Sequence, residues 1–133
     1  MEAFDLLGHI SFGVSDLARS AAFYDAIMQA LGLARVFTGE HAVGYGVAGT
    51  SEDQLLIAAR PGPVRPPSDG FHLAFDAPDR PAVDRFHAAA LQAGGTDNGP
   101  PGLRPQYGPD YYAAFVIDPD GYHLEAKAMV RKG

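Results

Sequence analysis

The stretch His9-Ile10-Ser11-Phe12-Gly13-Val14-Ser15-Asp16 returns 63 positions later as His72-Leu73-Ala74-Phe75-Asp76-Ala77-Pro78-Asp79. Aligned without a gap, residues 9–32 and 72–95 share 8 identities in 24 positions, where chance would give roughly two for an ordinary composition. An internal repeat of this kind indicates two copies of one structural unit. Each copy opens with a histidine, so the sequence predicts two imidazoles at equivalent points of the fold.

Each copy is predicted to fold as a β-α-β-β-β unit. In the first copy, a strand over 9–14 is followed by a helix over 17–31, which Ser15 or Asp16 caps and Gly32 ends. In the second copy, a strand over 71–76 precedes a helix over 80–93, which Asp79 caps. The remaining strands are predicted near residues 34–38, 42–47, 54–59, 103–107, 111–117 and 122–129.

These elements predict an α+β fold. We expect one domain over residues 1–133, in which modules 7–60 and 70–130 are joined by a proline-rich connector and share one sheet.

Composition restricts the function. A net charge of −6 without a cluster of Lys or Arg argues against nucleic acid. The apolar runs are too short to cross a membrane, and the acidic start is unlike a signal peptide, so we expect a cytoplasmic protein. The absence of cysteine excludes disulfides, thiolate metal sites and cysteine nucleophiles. The expected partner is a small molecule.

Both histidines are predicted to lie on strand faces with small neighbours. Alternation places His9 with Ser11 and Gly13, and it places His72 with Ala74 and Asp76. The bulky residues of each strand then point toward the helix. Small neighbours leave room for a ligand beside each imidazole.

The last strand adds a carboxylate, Glu125, between apolar neighbours. Because a buried charge needs a partner, a divalent metal is one explanation for it. Two histidines and one carboxylate with open positions suit Fe(II), and they also accept Mn, Ni, Co or Zn. The alternative is that the three residues occupy separate edge or surface positions.

The chain resembles the vicinal oxygen chelate superfamily, the group of glyoxalases, extradiol dioxygenases and bleomycin- or fosfomycin-resistance proteins. The resemblance extends from Leu7 to Met129, and its most specific part is the turn Asp118-Pro119-Asp120-Gly121 before the last strand. It also rests on four further segments: residues 9–17, 20–24, 31–32 and 71–75.

This resemblance implies that two βαβββ modules form a cupped, incompletely closed eight-stranded barrel around one divalent metal. His9, His72 and Glu125 take the positions of metal ligands. A homodimer is implied as well. The expected activity is that of a metal-dependent enzyme whose small substrate is chelated through adjacent oxygens. A metal-free binding protein of the bleomycin-resistance type and a lactoylglutathione lyase-like isomerase are the alternatives.

The first module departs from the glyoxalase pattern. Glyoxalase-type members carry a fourth ligand, Glu or Gln, on the last strand of that module, and the aligned position here is Leu56, with Gln54 two residues away. Leucine cannot bind metal. The three-ligand set therefore favours a dioxygenase-like or transferase-like reaction.

Other polar residues are weaker candidates. His123 shares a strand face with Glu125 and is a candidate acid–base residue, although a solvent-exposed position is the alternative. Tyr112 is a second candidate catalytic residue. The candidates for substrate binding are Arg104, Tyr107, Tyr111 and Ser11.

Overall fold

The computed structural model describes residues 6–129 and confirms an α+β architecture built from two similar halves. The N-terminal module contains β1 (Ile10–Val14), α1 (Leu17–Ala30), β2 (Ala34–Thr38), β3 (Ala42–Gly46) and β4 (Leu55–Ala59). The C-terminal module contains β5 (Leu73–Asp76), α2 (Arg80–Gln92), β6 (Thr96–Asp97), β7 (Gly102–Leu103), β8 (Tyr112–Ile117) and β9 (His123–Ala128). A short 3-10 helix, Pro105–Tyr107, precedes β8.

Both helices begin at the predicted caps. The Asp16 side chain accepts a hydrogen bond from the backbone N–H of Arg19, and Asp79 accepts one from Ala82, at 3.0 and 2.9 Å. These carboxylates satisfy N–H groups that have no partner within the helix. After α1 the chain turns at Gly32, whose φ of 85° favours glycine.

The strands form two sheets rather than the single shared sheet expected from the sequence. The orders are β1-β4-β3-β2 and β5-β9-β8-β6, with β7 also paired to β8. In each sheet the first and last strands of the module are parallel neighbours. The strand predicted over 103–107 is instead the two-residue strand β7 followed by the 3-10 helix, and β6 is a further short strand that was not predicted. Gly99 and two prolines separate β6 from β7 and keep both strands short. No closed barrel forms among the described residues, consistent with a cupped, incompletely closed arrangement.

The two helices join the modules. Each helix lies on its own sheet, and the helices also contact each other. Phe23 and Tyr24 of α1 and Phe86 of α2 are fully buried in one core shared by the modules. Fully burying one such side chain stabilises the fold by roughly 1.5–3 kcal/mol, so this shared core holds the modules together.

Polar contacts from the turn between β8 and β9 also tie the modules together. Tyr24 donates a hydrogen bond of 2.6 Å to the buried carboxylate of Asp118, and Tyr122 donates one of 2.8 Å to the carbonyl of Gly13. Asp120 accepts from Ser15 and Arg19 at the start of α1. Burial raises the pKa of Asp118, although Tyr24 and two backbone N–H groups favour its charged form.

No helix in the described part of the chain is long and apolar enough to cross a membrane.

Candidate functional site

Glu125 lies in the middle of β9, where the parallel pairing with β5 places it beside Ala74. Only 4% of its side chain is exposed. A buried carboxylate without hydrogen-bond partners would be strongly destabilising. The residues around Glu125 therefore decide what this position can do.

Both carboxylate oxygens of Glu125 have partners. Oε1 lies 3.1 Å from Nε2 of His72, just before β5, and Oε2 accepts a hydrogen bond from the Tyr111 hydroxyl, just before β8. The His72 side chain is half exposed, so the site opens to solvent on that side. Residues from two other segments of the chain, just before β5 and just before β8, thus meet at one carboxylate.

Tyr111 is fixed by its surroundings. Its ring lies 5.3 Å from the ring of Tyr107, and Nζ of Lys127 lies 5.9 Å from its centroid. Lys127 is held in turn by a hydrogen bond of 2.6 Å to Asp76. Burial and the hydrogen bond to Glu125 raise the pKa of the Tyr111 hydroxyl well above its usual value, so it remains a donor at neutral pH.

An open cavity of about 340 Å³ surrounds this cluster. Its volume is within the range of small-molecule sites. Aromatic rings form much of its wall, and neither Lys nor Arg lines it. The lining residues are Asp69, Gly70, Phe71, His72, Asn98, Tyr107, Tyr111, Phe115, His123, Leu124 and Glu125. All of them belong to the C-terminal module or to the end of the connector before it.

His9 lies apart from this cavity. It is exposed, it immediately precedes β1 in the other sheet, and it does not line the cavity. The described residues contain no group of three His, Asp or Glu side chains placed to hold one metal ion. One chain therefore brings together His72 and Glu125 of the predicted ligands, and the three-ligand site stays a prediction.

The spacing of this pair nevertheless suits a metal. Two donors that each bind one ion at about 2.0–2.2 Å, roughly at right angles, lie about 3 Å apart. The Nε2–Oε1 distance of 3.1 Å matches that separation. The pair fits a divalent ion as two ligands, and a complete set needs a third from elsewhere.

The other predicted residues divide into two groups. His123, Tyr107 and Tyr111 line the cavity. Ser11 is exposed on the N-terminal sheet, and the Tyr112 hydroxyl donates to Asp84 of α2.

Arg104 also lies outside the lining. Its guanidinium donates to the carbonyl of Pro100 and lies 5.4 Å from the centroid of the Phe115 ring.

Sequence reasoning missed several lining residues. Phe115 faces the same way as Ala113 on β8 and pairs with Glu125, so strand alternation contained the signal that would have found it. Asp69 and Asn98 lie outside the strands, where periodicity carries no information.

The strand registers confirm that Leu56 is the counterpart of Glu125. Leu56 pairs with Ser11 of β1 and Gly44 of β3, as Glu125 pairs with Ala74 of β5 and Phe115 of β8. Gln54 precedes β4 and is exposed. The N-terminal module therefore offers no ligand at this position.

Fold and site together define a two-module α+β protein with a pocket of small-molecule size on one sheet. Residues 6–126 match the family described as the Glyoxalase/Bleomycin resistance protein/Dioxygenase superfamily. The chain belongs to this superfamily. Its members commonly act on small molecules and form dimers, and they often use a divalent metal.

Solved structures support this assignment. A glyoxalase/bleomycin resistance protein from Albidiferax ferrireducens is 30% identical, with a TM-score of 0.82 over 93% of this chain and 99% of that chain. Two further structures are similar in fold. The fosfomycin resistance protein FosX from Mesorhizobium loti is 18% identical, with a TM-score of 0.67 over 95% of this chain and 93% of that chain. A glyoxalase I mutant from Zea mays is 21% identical, with a TM-score of 0.70 over 91% of this chain and 45% of that chain. No curated protein sequence matches the chain.

Proposed function

We propose that the protein is a homodimeric, divalent-metal-dependent enzyme whose small substrate binds through adjacent oxygens in the pocket of the C-terminal module. The observation that carries this proposal is the pairing of His72 Nε2 with the buried Glu125 Oε1 at 3.1 Å, the separation of two ligands on one ion. A buried carboxylate facing an open cavity is a costly arrangement, and a cation there would offset the cost.

The third ligand in this proposal is His9 of the partner subunit. Within the described residues of one chain, His9 does not join the other two ligands. A twofold dimer repeats every contact twice, so it can place the N-terminal sheet of each chain over the C-terminal pocket of the other. The exposed Phe37 on the N-terminal module and the exposed Leu103 and Met129 on the C-terminal module favour such burial.

The roles of the remaining residues follow from their places in the pocket. A bound metal would polarise the substrate oxygens as a Lewis acid. His123 lines the pocket on the same strand as Glu125, and it is our candidate for moving a proton. Tyr107 and Phe115 supply apolar walls for the body of the substrate. Because Leu56 stands where a fourth ligand would be, we favour a dioxygenase-like or transferase-like reaction over that of a lactoylglutathione lyase.

The test is metal binding by protein purified without chelator. We expect Fe(II), Mn(II), Ni(II), Co(II) or Zn(II) to raise thermal stability, because a ligand at a hundredfold excess over its dissociation constant stabilises by about 2.7 kcal/mol. His72→Ala should abolish this shift. His41→Ala is the matched control, since the His41 side chain is 81% exposed and lies outside the pocket. The proposal fails if none of these metals binds the unmodified protein.

A second candidate function is metal-free binding of a small molecule, of the bleomycin-resistance type. The observation that favours it is that both oxygens of Glu125 have side-chain partners, in His72 and Tyr111. A panel of catechols, glutathione hemithioacetals, fosfomycin and bleomycin, tested with and without metal, separates the two functions. Metal-dependent turnover supports the enzyme. Tight binding that is indifferent to metal, without turnover, supports the binding protein.

A further inference from the structure

The two oxygens of the Glu125 carboxylate have different surroundings. Oε1 faces His72, whose ring is half exposed at the cavity, whereas Oε2 faces the hydroxyl of Tyr111. A carboxylate free to rotate about its last bond could turn its plane so that neither oxygen faces His72. The hydrogen bond from Tyr111 to one oxygen fixes that plane with the other oxygen toward His72.

Tyr111 is itself held in place by contacts that do not involve Glu125. The Tyr107 ring packs against it, the Lys127 ammonium lies over its face, and its backbone N–H donates to the carbonyl of Gly108. Its backbone carbonyl accepts from the N–H of Arg104. The hydroxyl therefore reaches Glu125 from a fixed base, which is what an orienting group requires.

We propose that Tyr111 is a positioning residue that holds Oε2 of Glu125, so that Oε1 and His72 Nε2 stay at the separation at which they bind one divalent ion together. This inference rests on the proposed metal site. A ligating carboxylate that is hydrogen-bonded through its other oxygen keeps its orientation before the metal arrives, so less conformational entropy is lost on binding. Tyr111 acts through Glu125 and does not itself touch the metal.

A role in which Tyr111 hinders metal binding predicts a change of metal affinity in the opposite direction. If Tyr111 competed with the metal for Glu125, removing its hydroxyl would free the carboxylate and tighten metal binding. If Tyr111 orients Glu125, removing the hydroxyl weakens metal binding. The direction of one change in affinity thus separates the two roles.

The experiment measures Mn(II) and Zn(II) binding by isothermal titration calorimetry for the unmodified protein and for Tyr111→Phe. Phenylalanine keeps the ring contacts with Tyr107 and Lys127, and thermal melts check that the variant is folded. We expect the dissociation constant to rise about 10- to 100-fold, the usual effect of removing a partner that orients a ligand. Tyr112→Phe is the matched control, because its neighbouring hydroxyl donates to Asp84 away from the cavity; its affinity should be unchanged.

Two further measurements separate an orienting role from a merely structural one. Glu125→Asp shortens the ligand, and Tyr111→Phe should weaken binding less in that background than in the unmodified protein, since interacting residues are not additive. The chain has six tyrosines and no tryptophan, so its ultraviolet fluorescence reports on tyrosine. Metal should change this signal in the unmodified protein and in Tyr112→Phe, and much less in Tyr111→Phe.

The possible outcomes are distinct. An equal or lower dissociation constant in Tyr111→Phe overturns the positioning role while leaving the metal site in place. Full additivity with Glu125→Asp overturns it as well. An unmodified protein that binds neither ion overturns the proposed metal site, and the positioning role falls with it.

Discussion

The open faces of the two sheets have the same framework and opposite chemistry. The strand registers give each of five residues of the N-terminal face a counterpart on the C-terminal face. At four of five positions a small or apolar residue of the first face corresponds to a polar or larger residue of the second, and at the fifth Ser11 corresponds to Ala74. The pairs are Ser11 with Ala74, Gly13 with Asp76, Gly44 with Phe115, Leu56 with Glu125, and Ala58 with Lys127. Duplication supplied two equal scaffolds, but the cavity and the Glu125 carboxylate lie on the C-terminal one.

The glycines of the N-terminal face are required by the packing of side chains over them. A Cβ atom at Gly44 would lie 2.8 Å from Cβ of Asp53, and one at Gly13 would lie 2.6 Å from Cγ of Arg60. Such distances are too short without displacement of a neighbour. The side chains of Asp53 and Arg60 thus occupy the space over these glycines, whereas the space beside Glu125 on the C-terminal face is an open cavity.

The sharpest test of this asymmetry replaces the two equivalent residues by the same amide. In Glu125→Gln the side chain can still accept a hydrogen bond from Tyr111 but carries no charge. We expect metal affinity to fall by more than about a hundredfold, which is more than the loss expected when an orienting partner is removed. Leu56→Gln, at the matching position, should leave affinity within a few-fold. Calorimetric titration with Mn(II) measures both. Equal losses in the two variants would show that the faces are not functionally different.

A second variant introduces a carboxylate at the N-terminal position that corresponds to Glu125. Leu56→Glu places a carboxylate where the N-terminal module has none, and without metal we expect the free energy of unfolding to fall by about 1–3 kcal/mol, because the charge has no partner there. Metal should recover this loss if the position faces the site across a dimer. Denaturant unfolding with and without Zn(II) measures the effect, with Leu56→Gln as the control. A loss that metal does not recover would place this position away from the ion.

The helices carry a second asymmetry at equivalent positions. Tyr24 of α1 reaches across to Asp118 of the other module, whereas His87 of α2 pairs with Asp97 of its own module. Tyr24→Phe leaves a buried carboxylate short of a donor and should lower the free energy of unfolding by about 1–3 kcal/mol. His87→Phe should lower it less than Tyr24→Phe does, since the partner of His87 is exposed. Urea unfolding compares them; a larger cost for His87→Phe would refute the assignment of the inter-module contact to Tyr24.

The smallest expected effect concerns Asp97. The hydrogen bonds from His87 and from the backbone N–H of Gly99 lower the pKa of the Asp97 carboxyl. A lowered pKa in the folded state contributes stability above the unfolded-state pKa, and that contribution is lost as pH falls through the folded-state pKa. NMR titration should find the pKa of Asp97 below its usual value, and closer to it in His87→Phe. An unchanged pKa in that variant would contradict the role of His87.

The sequence predicted the local elements well because their signals are local. Asp16 and Asp79 cap the helices as expected, and both helices end within one residue of their predicted ends, 31 and 93. The strand predicted at 103–107 was wrong in its bounds, since that segment contains the end of β7 and a 3-10 helix, and β6 was missed. Short segments beside glycine and proline have no clear periodicity.

The sequence repeat did not predict how the two modules are arranged. The repeat correctly made His9 and His72 equivalent in sequence, but it contains no information on which surfaces of the two units meet. That choice is made by α1–α2 packing and by the contacts of Asp118 and Asp120, which are non-local. The expectation of one shared sheet therefore failed, and the convergence of Tyr111 on Glu125 could not be seen.

The central claim is that each site combines His72 and Glu125 of one chain with His9 of the partner subunit. Subunit complementation tests it most directly: His9→Ala and Glu125→Gln proteins are prepared separately, unfolded, mixed in equal amounts and refolded together, and bound Mn(II) is counted. Random pairing makes half of the dimers mixed, and each mixed dimer has one intact site and one defective site. We therefore predict bound metal in about one quarter of all sites, although neither variant alone binds it. If the mixed and refolded variants bind no Mn(II) while the unmodified protein binds it normally, the site is not shared between two chains.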